Sequence, residues 1–242
     1  MRATVLVLTA VMLVLGSVHA TEAVPGVTPD QALTALKEGN ARFVDGKTTS
    51  PRRDAARRAD TVKNGQHPAA TVIACSDSRE PVEIIFDQGI GDLFIVRVAG
   101  NVANTDEIGS AEYGTDHLGS SVLLVLGHTQ CGAVTAVVMH DEVHGSIPAL
   151  VAPIVPAVEK AQKANPDLKG KDLVPAAVEA NVFQSMEDLL KRSELISKMV
   201  VEGKLRVEGA VYDLDTGKIK WLGPHPQQKA LIEAPHAEPA HK

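Results

Sequence analysis

The hydrophobic pattern changes its period along the chain. Between positions 28 and 46, Ala32, Leu33, Leu36 and Phe43 recur at helical spacing. Thr28 suits the cap of that helix, Pro29 its first turn and Gly46 its end. A second helix is expected over residues 51–63, dense in arginine at Arg52, Arg53, Arg57 and Arg58. From Ala70 the pattern becomes short, unbroken apolar runs over 71–74, 93–98 and 121–126, with a helical stretch at 108–117 between the second and third. Runs of that length suit strands buried on both faces, and helices between them imply parallel pairing with crossovers. After Cys131 come a helix to about His140, a proline-containing connection and helical stretches near 149–164 and 173–200. Leu205, Val207 and Val211 suggest a further strand, which Asp215, Thr216 and Gly217 turn back into 218–222. The expected fold is α/β: a mostly parallel central β-sheet flanked by helices, with an N-terminal helical arm.

The two ends read differently. Arg2, an apolar run from Val5 to Leu15 broken at Thr9, and Val18-His19-Ala20 have the layout of a signal peptide cleaved after Ala20. That run is short for a bilayer span. Residues 1–20 are therefore expected to be removed on export across the inner membrane, most simply to a periplasm, leaving no membrane attachment. Residues 21–223 are expected to form one domain, introduced by a short leader at 21–28. The tail at 224–242 holds four prolines and three histidines and is expected to be disordered.

Composition narrows the function. Of 242 residues 44% are hydrophobic and 22% charged, enough for a real core. The formal net charge of −6 and 3% aromatic content argue against nucleic acid as a partner. The arginines near 52–58 are expected on a solvated or subunit-facing helix surface rather than in a binding patch.

Both cysteines lie at predicted strand ends: Cys75 opens Cys75-Ser76-Asp77-Ser78-Arg79, and Cys131 closes His128-Thr129-Gln130-Cys131. Ligands in parallel α/β sheets bind beyond the carboxyl ends of the strands. Thiolate and imidazole are favoured zinc ligands, and three of them leave a fourth tetrahedral position. A disulfide between the two cysteines, or two ordinary core cysteines, would fit the same residues. Asp77 could ligate a metal or accept a hydrogen bond from metal-bound water, with Arg79 holding its carboxylate bidentately. Read without a metal, the two are an ordinary ion pair.

Together these segments resemble the β-carbonic anhydrases. The likeness runs from Leu36-Lys37-Glu38-Gly39-Asn40-Ala41-Arg42-Phe43 through the two metal segments, Gly91-Asp92-Leu93-Phe94, Ala99-Gly100-Asn101 and Glu112-Tyr113 to Val211-Tyr212-Asp213. It implies one Zn2+ per chain on Cys75, His128 and Cys131, with Asp77 a switchable ligand that pairs with Arg79 when the site is open. It implies reversible hydration of carbon dioxide to bicarbonate and a proton by hydroxide held on the metal. Gln66, Phe94 and Tyr113 match substrate-pocket positions, with the pocket at a subunit boundary of a homodimer or dimer of dimers. Some relatives regulate themselves with bicarbonate through a tryptophan three residues before the first cysteine. Val72 stands there, so that site is expected to be absent: Arg97 and Tyr212 fall near where its other members would lie, but the set is incomplete. His117, His140 and His144 are proton-shuttle candidates by residue type alone, and surface histidines fit them equally. Carbon disulfide or carbonyl sulfide hydrolysis on the same fold, and a non-catalytic zinc or thiol protein, are the alternatives.

Overall fold

The computed structural model describes residues 26–234. The expected signal peptide at 1–20 and the last eight tail positions, 235–242, lie outside the described residues.

The chain opens with α1 (Pro29–Val44), where the Thr28 side chain accepts the Gln31 amide and Gln31 returns a bond to the Thr28 amide, a complete capping box. The next helix, α2 (Ala55–Asn64), starts later than expected because Asp54, not a residue near Pro51, caps it by accepting the Arg57 amide. Ser50 and Arg52 take positive φ, so 50–54 is a loop. Strand β1 (Ala70–Ala74), the single turn α3 (Val82–Ile85), β2 (Leu93–Arg97) and α4 (Thr105–Glu112) follow. The helical stretch expected over 108–117 is this helix continued by a π-helical turn, Tyr113–His117. β3 (Val122–His128) extends two residues beyond its apolar run.

α5 (Gly132–Met139) leads to a region rich in helix-breaking proline. There the stretch expected as one helix divides into α6 (Ile147–Val151), a 3-10 turn at Ala152–Ile154, and α7 (Val155–Ala164). The long segment expected over 173–200 also divides, into α8 (Val174–Arg192) and α9 (Glu194–Val201). Extended backbone at Ser193 ends the first, and its hydroxyl accepts the Ile196 amide to start the second. β4 (Arg206–Tyr212) and β5 (Ile219–Gly223) form the closing hairpin. Residues 224–234, expected to belong to a disordered tail, carry α10 (Gln228–Glu233). Its Leu231 is buried in the main core, which supplies the apolar contact that the proline-rich composition masked. Among the described residues no helix is long and apolar enough to cross a membrane.

The sheet order is β2-β1-β3-β4-β5, with four parallel strands and β5 antiparallel. Alternate residues of β3 feed opposite faces, as a period of two requires. Leu123 and Val125 pack into a core with Val182, Met186 and Leu189 of α8, whereas Leu124 and Leu126 meet Leu33, Leu36 and Phe86 on the α1 side. Because helices cover both faces, β1 and β3 are buried at every position. That burial explains why they read as continuous apolar runs.

The arginine-rich segment is not simply solvated. Arg52 grips Asp92 through Nε and Nη2, Arg53 donates to the Gln88 carbonyl, and Arg57 donates to the Ile90 carbonyl at 2.8 Å. These side chains staple α2 and the loop before it to the loop before β2.

Candidate metal centre

β1 and β3 are neighbours in register, with Ala74 opposite Leu126. The chain leaves β1 at Cys75 just where β3 reaches Gly127 and His128, at the carboxyl end of the sheet. A left-handed residue, Gln130 (φ 56°), turns the backbone after His128 so that Cys131 stands immediately before α5. Its sulfur therefore faces the positive end of that helix, toward the Ala133 and Val134 amides. One potential ligand atom from each of Cys75, His128 and Cys131 lies within 4.8 Å of the others, and all three residues are buried. The sulfurs are not bonded to each other.

The donor set fits a metal ion. The Thr129 carbonyl lies 2.9 Å from His128 Nδ1 and accepts a hydrogen bond from its N–H, which leaves the Nε2 lone pair free. Nε2 is buried and has no hydrogen-bond partner among the described residues, a costly condition unless a cation sits there. Hydrogen bonding from Cys131 lowers the Cys75 thiol well below its ordinary range, against burial and with help from His128 and the Gly100 amide. Cys131 is pushed up correspondingly by Cys75 and by burial. Burial opposes charge on His128, but the Cys75 sulfur and the Glu80 and Cys75 charges outweigh it and raise the imidazole. Gly100 lies at φ 79°, and its amide donates to Cys75 Sγ at 3.3 Å. A side chain there would also meet Ile154 at 2.7 Å, so glycine alone brings this amide to the sulfur.

Asp77 stands beside the cluster rather than in it. Its Oδ2 is 3.7 Å from His128 Nε2, while Arg79 Nε and Nη2 clasp its two oxygens at 2.9 and 2.7 Å. The Arg79 guanidinium holds the Asp77 carboxyl well below the usual carboxylate range.

The three pocket positions are elsewhere. Phe94 pairs with Thr71 in the sheet, four residues upstream of Cys75 or about 13 Å along the strand. Tyr113 packs on Phe94 with centroids 5.9 Å apart, stacks on His117 and is 46% exposed. Gln66 is exposed in the connection between α2 and β1. One chain does not bring Phe94 to the sulfurs. His140 and His144 are exposed, as is His117. Val72 is fully buried in β1, and Arg97 donates to the Cys75 and Asp77 carbonyls.

One buried group at the site escaped the sequence reading. Glu80 has no exposed surface, its Oε2 accepts the Cys75 amide at 2.9 Å, and burial pushes its carboxyl up to about 8. The only signal was an acidic residue at the mouth of an apolar segment, which pattern alone assigns to the surface.

Residues 70–219 match the family model for carbonic anhydrase. Carbonic anhydrase 2 of Mycobacterium tuberculosis is 37% identical over 201 residues, covering 80% of this chain and 93% of that protein. A β-carbonic anhydrase structure from Aspergillus fumigatus superposes with a TM-score of 0.67 at 26% identity, over 86% of this chain and 99% of the other. This chain belongs to the β-class carbonic anhydrases. A β-carbonic anhydrase from Coccomyxa, solved with acetazolamide, is similar at a TM-score of 0.63 and 28% identity, covering 78% of this chain and 86% of that one. The carbonic anhydrase match spans β1 to β4 and ends at the first residue of β5, so the Cys-His-Cys cluster lies wholly inside the family's domain.

Proposed function

We propose that this carbonic anhydrase hydrates carbon dioxide reversibly to bicarbonate and a proton with one zinc ion per chain, held by Cys75, His128 and Cys131. The observation that carries it is the buried triangle of two sulfurs and an imidazole nitrogen, with no hydrogen bond to Nε2 among the described residues. Bound zinc supplies Lewis acidity that lowers the pKa of a water from about 15.7 to about 7, a figure established for three-histidine carbonic anhydrases rather than for this site.

The remaining work falls to the chain. Asp77 Oδ2, kept ionised by Arg79 and aimed at the cluster, accepts a proton in a hydrogen bond from the reacting water and so orients its oxygen. Released from Arg79, the same carboxylate is the candidate fourth ligand that would close the site. Gln66 would hydrogen-bond bicarbonate, and Phe94 and Tyr113 would wall an apolar pocket. Because Phe94 lies far along the sheet from Cys75 in its own chain, a second copy is needed to present these side chains to the metal face, which favours a homodimer or dimer of dimers. The half-exposed Tyr113 ring is consistent with such a surface. Export to a periplasm is supported by the layout of residues 1–20.

Stopped-flow carbon dioxide hydration with metal analysis tests the assignment. The wild type is expected to carry zinc and hydrate carbon dioxide. Asp77→Ala should keep its zinc and lose activity by about 100-fold. A zinc-loaded wild type without hydration activity would overturn the function, and an unimpaired Asp77→Ala enzyme the role given to Asp77.

A further inference from the structure

Among the described residues Glu80 is the one fully buried carboxyl in contact with the metal segment, and the mechanism above does not use it. β1 ends at Ala74, so the Cys75 amide leaves the sheet ladder and needs an acceptor, being buried. Glu80 Oε2 supplies it at 2.9 Å from five residues downstream. The loop is closed by the Glu80 amide on the Asp77 carbonyl at 3.1 Å. Arg97, from β2, completes the brace by donating to the Cys75 carbonyl at 2.9 Å and the Asp77 carbonyl at 2.5 Å. Both the amide and the carbonyl of Cys75 are thus held by side chains rather than by the sheet.

The other Glu80 oxygen, Oε1, is buried with no hydrogen-bond partner among the described residues. Burying a carboxyl with half its acceptors unused is costly, and an apolar side chain would fill the same space without that cost. The one bond that Glu80 does make is therefore what distinguishes it from a packing residue. The neighbouring carboxylate cannot substitute, since Asp77 is already clasped by Arg79.

We propose that Glu80 is a positioning residue for the metal centre: by accepting the Cys75 amide it sets the direction in which the Cys75 sulfur leaves the strand, and with Arg97 it holds the loop that carries Asp77 and Arg79. The inference rests on the metal-centre reading given above and adds to it a group that touches neither metal nor substrate.

Two substitutions separate the hydrogen bond from packing. Glu80→Met keeps an unbranched side chain of similar volume but cannot accept the amide, whereas Glu80→Gln keeps an oxygen acceptor on the same stem. In competition with a chromophoric chelator, Glu80→Met is expected to bind Zn2+ 10- to 100-fold more weakly than wild type, and Glu80→Gln to recover most of that loss. With Co2+ in place of zinc, the thiolate-to-metal charge-transfer band should shift in Glu80→Met and overlay the wild type in Glu80→Gln. Wild-type metal affinity and an unmoved band in Glu80→Met overturn the proposal, even if its Tm falls. So does a Glu80→Gln chain as impaired as Glu80→Met. If Glu80→Met does not fold, Glu80→Ala gives the same comparison, and if neither folds, a shifted band in Glu80→Gln is the overturning result. A wild-type chain that takes up no metal overturns this proposal and the metal centre together; a metal-binding wild type with an indifferent Glu80 overturns this one alone.

Discussion

Asp87 has no exposed side-chain surface, yet it pairs with the partly exposed Arg42 at 2.7 Å. Its oxygens also accept the Thr49 and Ser50 amides at 3.0 and 2.8 Å and the Thr49 hydroxyl. Burial works against its charge, but these bonds win and bring the carboxyl down to about 2 from an ordinary 3.8. An acid depressed in the folded state contributes stability above its unfolded pKa and loses it as pH falls toward its folded one. Asp87→Asn should therefore cost about 2 kcal/mol at pH 7 by urea denaturation, since an amide replaces charge-assisted bonds. The gap between the two proteins should narrow as pH drops from about 4 toward 2. A gap that stays constant over that interval would show that ionisation of Asp87 is not its source. The same residue-level rule applies at the metal centre, where the Arg79 guanidinium, helped by the Arg79 backbone amide, keeps charge at Asp77.

At the scale of elements, α1 lies against α3 because Gly39 leaves room for it. A Cβ on Gly39 would fall 1.8 Å from the Phe86 carbonyl oxygen, which belongs to backbone and cannot swing aside. Gly39→Ala gains about 1 kcal/mol of helix propensity but must push the two elements apart, which costs about 3 kcal/mol, so the net effect is destabilising. Gly109 in α4 is the control, with nothing within 4 Å of its would-be Cβ. Alanine there should leave thermal stability unchanged or raise it. Equal Tm values for the two variants would mean that the contact between α1 and α3 carries no such constraint. The clash also bears on the site, since the same α1 face packs against Leu124 and Leu126 of the strand that carries His128.

At the scale of the whole molecule, the sheet separates two groups of residues that the proposed chemistry needs together. Cys75 and His128 stand at its carboxyl end, and Phe94 pairs with Thr71, well back along β1. If a second copy supplies the pocket wall, activity and metal content must come apart on dilution. Hydration per zinc should fall steeply below the concentration at which sedimentation shows monomers, while zinc per chain stays constant. Full activity in a demonstrated monomer would refute the shared pocket and leave the metal centre untouched.

What the sequence determined by itself was local. Apolar runs of strand length marked β1, β2 and β3, and residue types with a sharp chemical preference marked Cys75, His128 and Cys131. Both signals survive in one dimension because an apolar run, complete in the doubly covered β1 and β3 and partly buried in the edge strand β2, and metal affinity depend on the identity of the residue itself. The tertiary structure decided what depends on distant partners. Asp54 rather than Pro51 starts α2, Ser193 divides the long helix, and Leu231 orders part of the tail because a core is waiting for it. Glu80 became visible only when the fold removed it from water and set it against the Cys75 amide. The position of a charge in the sequence carries no record of its desolvation, which arises only when the rest of the chain closes over it.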